Sequence, residues 1–173
     1  MKTLGTIQKT FRVFMDLAKA VAILSFIAAG LVLLAAGCGL VWRSGGRVIG
    51  LQMESMLSMT GAVGMDQMIG LMLADDVYAL TNGVLFWMAH LYLKHEQADG
   101  TPFTMDGANR LKRLGIHMIV LPLVAETVTE VVHACFGMNR QGAWCDGFVL
   151  LGIVLILTSM VLRYGAELER MRA

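Results

Sequence analysis

The sequence predicts an all-α fold, an integral membrane four-helix bundle with an amphipathic N-terminal helix and an outer helical cap. Three observations predict it. The chain is 57% hydrophobic and only 16% charged, where soluble domains carry about 25% charged residues. Its mean hydropathy is +0.66. Four separate apolar runs approach or exceed the length a helix needs to cross about 30 Å of hydrocarbon. The same composition excludes a disordered chain, which combines low hydrophobicity with high charge. A net charge of +1 over 173 residues argues against a basic nucleic-acid binder, so no direct nucleic-acid partner is expected. Three cysteines do not make a secreted disulfide scaffold. The length suits one domain, residues 1–173.

Residues 1–19 read as a basic amphipathic helix. Leu4, Ile7, Phe11, Phe14 and Leu17 recur at spacings of three and four, with Lys2, Lys9, Arg12 and Asp16 elsewhere around the turn. Such a helix is expected in the headgroup plane, anchoring the first span.

The first span is expected at 20–42, a run without a charged residue that closes on Trp42 and is followed by Arg43. It is longer than the apolar core of a cleaved signal peptide, about 7–15 residues, so it reads as a retained span. Residues 45–75 follow as the outer cap, broken by Gly61 and Gly64. The cap is rich in methionine, including Met53, Met56 and Met59. Thioethers select Cu(I), but Met is also a good helix former and gap filler. The packing reading is preferred, and neither a metal nor a cofactor is expected.

The second span is expected at 76–93, with Asn82 and His90 inside it. An inner elbow, 94–113, leads to the third span at 114–136. The fourth is expected at 147–162. Lys2, Lys9, Arg12 and Lys19 precede the first span. Lys94, Arg110, Lys112 and Arg113 lie between the second and third, and Arg163, Arg170 and Arg172 follow the fourth. Only Arg43, Arg47 and Arg140 fall on the other side. Positive loops stay in the cytoplasm, so both termini are expected inside a multi-pass protein of the bacterial cytoplasmic membrane. Cys135 and Cys145 flank the short outer loop 137–146 and form the candidate disulfide, on a side where oxidation is permitted.

An ionisable residue within a span is a functional candidate because it is costly there. Glu126, Glu130 and His133 stand at i, i+4 and i+7, on one helical face. With Asn82 or Thr81 of the second span they form an intramembrane polar cluster, either a structural knot or a proton or cation relay. His90 and His117 fall about one turn inside the inner boundary, where they could pair across the second and third spans; they are read as interfacial hydrogen bonders, since two histidines alone do not make a metal site. No nucleophile elbow, phosphate loop, HExxH or CxxC occurs, so no enzymatic activity is expected.

Two inner stretches carry a family resemblance. One runs Gly100-Thr101-Pro102-Phe103-Thr104, then Asn109-Arg110-Leu111 and Gly115. The other is Leu162-Arg163-Tyr164-Gly165-Ala166-Glu167-Leu168. In these the chain resembles the DUF2975 family of bacterial four-span membrane proteins of unknown function. Family members are often encoded beside a small helix-turn-helix repressor-like protein. The resemblance therefore implies a membrane component of a regulatory pair. The family's acidic tail is replaced here by the basic end Glu169-Arg170-Met171-Arg172-Ala173. Read from the residues themselves, Pro102 can begin a helix, Phe103 can dip into the interface, and Thr104 or Asp106 can cap the helix carrying Arg110. Pro102, Phe103, Asn109 and Arg110 become the candidate docking elbow for a cytoplasmic regulatory protein. Gly165 is expected to end the fourth helix. The functional expectation is a non-enzymatic membrane regulator or sensor. The alternative is a small transporter, or an accessory subunit of one, that works as a homo-oligomer and uses Glu126 and Glu130 for proton or cation coupling.

Overall fold

Backbone that crosses hydrocarbon has to satisfy its own N–H and C=O groups. Among the described residues, the chain does this with four long helices. The computed structural model describes residues 2–43, 64–99, 104–138 and 146–172. Helix α1 spans Lys2–Arg43, α2 Met65–Asp99, α3 Met105–Cys135 and α4 Asp146–Arg172. No strand occurs among the described residues. All four helices are long and apolar enough to cross a bilayer, so the chain is a multi-pass membrane protein.

Each helix packs chiefly on its neighbours in sequence, α1 on α2, α2 on α3 and α3 on α4. The bundle is an open row rather than a closed square, and it alternates in direction. Phe26 lies over Gly83, Phe136 over Gly70, and Ile119 over Gly152. Both chain ends therefore share one end of the row, called here the terminal end.

The α1–α2 seam is made of small residues. Ala18, Ala22, Ala29 and Ala36 are buried, as is Gly39. The half-buried Met15, Ser25 and Val32 lie between them in the same three-four alternation. That is a heptad seam, with alanine where a soluble coiled coil would use leucine. Small side chains let the backbones approach, which is how helices associate where lipid is as apolar as Leu. The larger residues of α1 face outward: Phe14, Leu17, Leu24 and Leu34 are all exposed. Along the helices, hydroxyls bond to their own backbone. Thr81 donates to the Val77 carbonyl, Thr127 to Leu123 and Thr158 to Val154.

The helices are longer than the spans read from hydropathy. α1 is continuous through residues 19 and 20, so residues 2–19 extend the first span along its axis and are not turned into the headgroup plane. Residues 65–75 of the expected cap are the first three turns of α2; residues 45–63 lie outside the described residues, Gly61 among them. The elbow is likewise helical at both sides, its first part ending α2 and its last part opening α3. Gly165 sits inside α4, which runs on to Arg172. Among the described glycines only Gly137 has a positive φ. Gly165 does not take the positive φ of a helix-ending glycine, and the first three cases share one cause. A hydropathy count stops at the first charge, whereas the backbone ladder continues through any residue whose side chain can reach water.

Candidate functional site

At the far end of the row, α3 closes with a Schellman turn. Gly137 takes φ 64°, its N–H bonds the Ala134 carbonyl, and Met138 N–H bonds that of His133. This arrangement satisfies the last carbonyls of the helix. It also folds Phe136 and Met138 back over Gly70 of α2. Beside the turn, Glu130, His133, Ala134 and Met138 line a cavity of about 290 Å³.

The expected polar cluster is only partly assembled. His133 is buried and Thr129, one turn earlier, is 4% exposed, whereas Glu126 and Asn82 are half-buried and Glu130 is exposed. The stripe therefore straddles the edge of the α3 packing face. Thr81 spends its proton on Val77, not on Glu126. The register of α4 explains the exposure. With Ile119 against Gly152, the antiparallel count brings Asp146, the first residue of α4, level with Ala125. Among the described residues, no part of α4 stands beside the last three turns of α3. Cys135, on that stretch, is an exposed free thiol, and Cys145 lies outside the described residues, as do Met53, Met56 and Met59. No group of three His, Cys, Asp or Glu side chains suited to a metal ion occurs among the described residues.

The two histidines do not meet. His90 Nδ1–H donates to the Met15 carbonyl of α1 at 3.0 Å, while His117 Nδ1–H donates to Arg113 of its own helix at 2.6 Å. His90 shares a helical position with Gly83 and Asp76, each seven residues apart, and so faces the α1 seam. Asp76 is 3% exposed, and its Oδ1 has no hydrogen-bond partner among the described residues. Hydropathy reads this residue as the start of a span. The structure sets it three turns into α2, on the α1 seam in the region of Val32.

At the terminal end, Thr104 caps α3, accepting from Gly107 N–H at 2.9 Å. The carboxylate of Glu96, 6% exposed, reaches across from α2 to the same first turn, the positive end of the helix. A Cβ at Gly107 would lie 2.5 Å from Glu96 Oε1 and 2.9 Å from Thr104 Oγ1, so a larger residue there has to displace the Glu96 carboxylate and the capping hydroxyl. Tyr92 feels the charges of both Glu96 and Arg110, which places the three in one electrostatic neighbourhood. Pro102 and Phe103 of the docking elbow lie outside the described residues. Asn109 is exposed and Arg110 half-buried.

The structure brings together the two inner stretches that sequence reading singles out. Asn109 and Lys112 of α3 and Arg163, Tyr164 and Glu167 of α4 line one groove of about 500 Å³. Its spacing is set deeper in the row, where Gly115 and Gly152 meet. A Cβ on either would come within 2.8 Å of the other's carbonyl oxygen. No family model, curated protein or solved structure matches the chain.

Sequence reading misses Asp76, Glu96 and Thr129. Asp76 and Glu96 sit at charge-marked boundaries, where a carboxylate reads as solvated. For Glu96 a signal is present: Gly107, three residues after a cap, is an unusual choice in a helix and marks a close approach.

Proposed function

We propose that the chain is a non-enzymatic membrane regulator or sensor, with both termini in the cytoplasm and the terminal end serving as a docking platform. One observation supports this reading best. At that end the helices run past their apolar stretches as a helical surface with exposed Arg12, Asp16, Lys19, Lys94, Lys112, Arg113 and Arg163. A surface of ordered helical charges, rather than loops, offers fixed positions to a protein reader. The reader proposed is a cytoplasmic helix-turn-helix transcription factor, in keeping with the DUF2975 resemblance. A signal would act by favouring one of two conformations for which it has different affinity. The test is a detergent-solubilised pull-down of the tagged protein from its native host, read by mass spectrometry. Recovery of a small DNA-binding protein is expected, and its loss when Phe103, Asn109 and Arg110 are changed to Ala. Retention of that protein by the triple variant removes the platform reading.

The cavity beside Glu130 and His133 favours a second reading, proton or cation movement by an oligomer. Glu126→Gln with Glu130→Gln would then abolish flux in proteoliposomes; unchanged flux, or none in the parent protein, removes it.

A further inference from the structure

We propose that the α3–α4 groove at the terminal end binds the phosphate of an anionic phospholipid headgroup. The argument begins with depth. The apolar run of α4 ends at Leu162, and Met160 and Val161 just before it are 61% and 70% exposed. Arg163 and Tyr164 follow at once. The groove has an apolar wall, Ile156 and Met160, and a polar mouth, Lys112, Arg163 and Tyr164. It therefore crosses the level where hydrocarbon gives way to headgroups. Tyrosine is enriched at that level, and basic pockets between spans are where anionic headgroups lodge.

Charge supplies the second step. Lys112 and Arg163 are the cations of the groove and Glu167 its acid. Glu167 is already engaged, accepting from Arg163 Nε at 3.2 Å. That bond is made through Nε and orients the guanidinium, whose fork of donors suits phosphate. Asn109 and the Tyr164 hydroxyl add neutral donors. The Ser159 hydroxyl is committed to the Ile156 carbonyl at 2.6 Å and is not part of the recognition. A zwitterionic headgroup would bring its ammonium against the same cations, so the groove discriminates by charge. A free phosphate would match the mouth and leave the apolar wall unused.

The framework for such a site is rigid. The Gly115–Gly152 contact fixes how closely the two helices approach, and the groove opens from it toward the terminal end. The inference rests on the membrane reading and needs no protein partner, so a failed pull-down leaves it standing.

The test uses the full chain, purified in mild detergent, stripped of lipid and placed in nanodiscs of phosphatidylcholine doped with phosphatidylglycerol. Retained lipid is counted by native mass spectrometry after release. The parent protein is expected to retain phosphatidylglycerol over phosphatidylcholine. Lys112→Gln with Arg163→Gln is expected to weaken that retention by roughly tenfold or more. Lys112→Gln alone, which keeps the Arg163–Glu167 pair, should give an intermediate loss. Lys9→Gln removes an exposed cation from α1, away from the groove, and should leave retention at the parent level. Helical circular dichroism and elution volume confirm that each variant is folded. The proposal is overturned by equal retention in the parent and the Lys112/Arg163 variant, or by equal loss in the α1 control. It is also overturned if millimolar inorganic phosphate displaces the lipid completely.

Discussion

At the scale of single residues, the most informative positions are those that sequence reading passes over. Asp76 presents a carboxylate to a seam of alanines, with Oδ1 unpartnered among the described residues. Burying a carboxylate without a partner is far costlier than burying an amide. Asp76→Asn, nearly isosteric, is therefore expected to raise the thermal midpoint in detergent, by the equivalent of about 1 kcal/mol or more. A fall would mean that the carboxylate is used. Gly107→Ala should destabilise by about 1–3 kcal/mol, because a methyl there meets Glu96 and Thr104. Combining it with Glu96→Ala should recover part of the loss, and the double-mutant cycle measures that coupling. Gly137→Ala should cost about 1 kcal/mol, since only glycine takes φ 64° freely. The Thr104 cap was legible, because a threonine just after Pro-Phe and just before a helical pattern has few other uses. Asp76 and Glu96 were not. A lone carboxylate at the edge of an apolar run looks the same in sequence whether water or a neighbouring helix receives it.

At the scale of elements, number and type were legible while ends and pairings were not. Apolar composition marks each crossing, but charge does not end a helix. At 42 residues, α1 is about 63 Å long, roughly twice the hydrocarbon thickness. Its alanine heptad is visible in the sequence once one asks for small residues instead of large ones. Phe14 and Leu17, the face that apolar periodicity highlights, point away from α2. The seam has little room. Ala29→Leu with Ala36→Leu should overpack it, costing about 1–3 kcal/mol per site, and loosen α1 from α2. Cysteine pairs placed across that interface would then cross-link more slowly, while pairs across α3–α4 would be unchanged. Periodicity puts the polar stripe of α3 on one face. Its split between buried and exposed positions depends on where α4 begins, and periodicity within α3 carries no such information.

At the scale of the whole molecule, the row alternates in direction and gathers both chain ends and most cations at one end. The orientation proposed above, which follows the positive-inside rule, has that end in the cytoplasm. This is checked in a background where Cys38, Cys135 and Cys145 are Ser. Arg170→Cys should resist a membrane-impermeant maleimide in intact cells and react after permeabilisation. Cys135 restored alone should react in intact cells. The reverse pattern would invert the protein and move the docking platform outside. The open row itself could not be read from sequence, because four apolar helices in series fit a closed square equally well. What decides it is which faces carry small residues, and α4 meets α3 through Gly115 and Gly152 without a matching seam toward α1.

Among the described residues, packing chiefly on sequence neighbours has a consequence for how the protein is made. Each helix after the first leaves the ribosome with a packing partner already in the membrane, and none waits for a helix beyond the next one. Contacts that are local in this sense form quickly and leave few exposed intermediates. The order of synthesis can thus serve as the order of assembly, with α4 added last to a three-helix unit that is already packed.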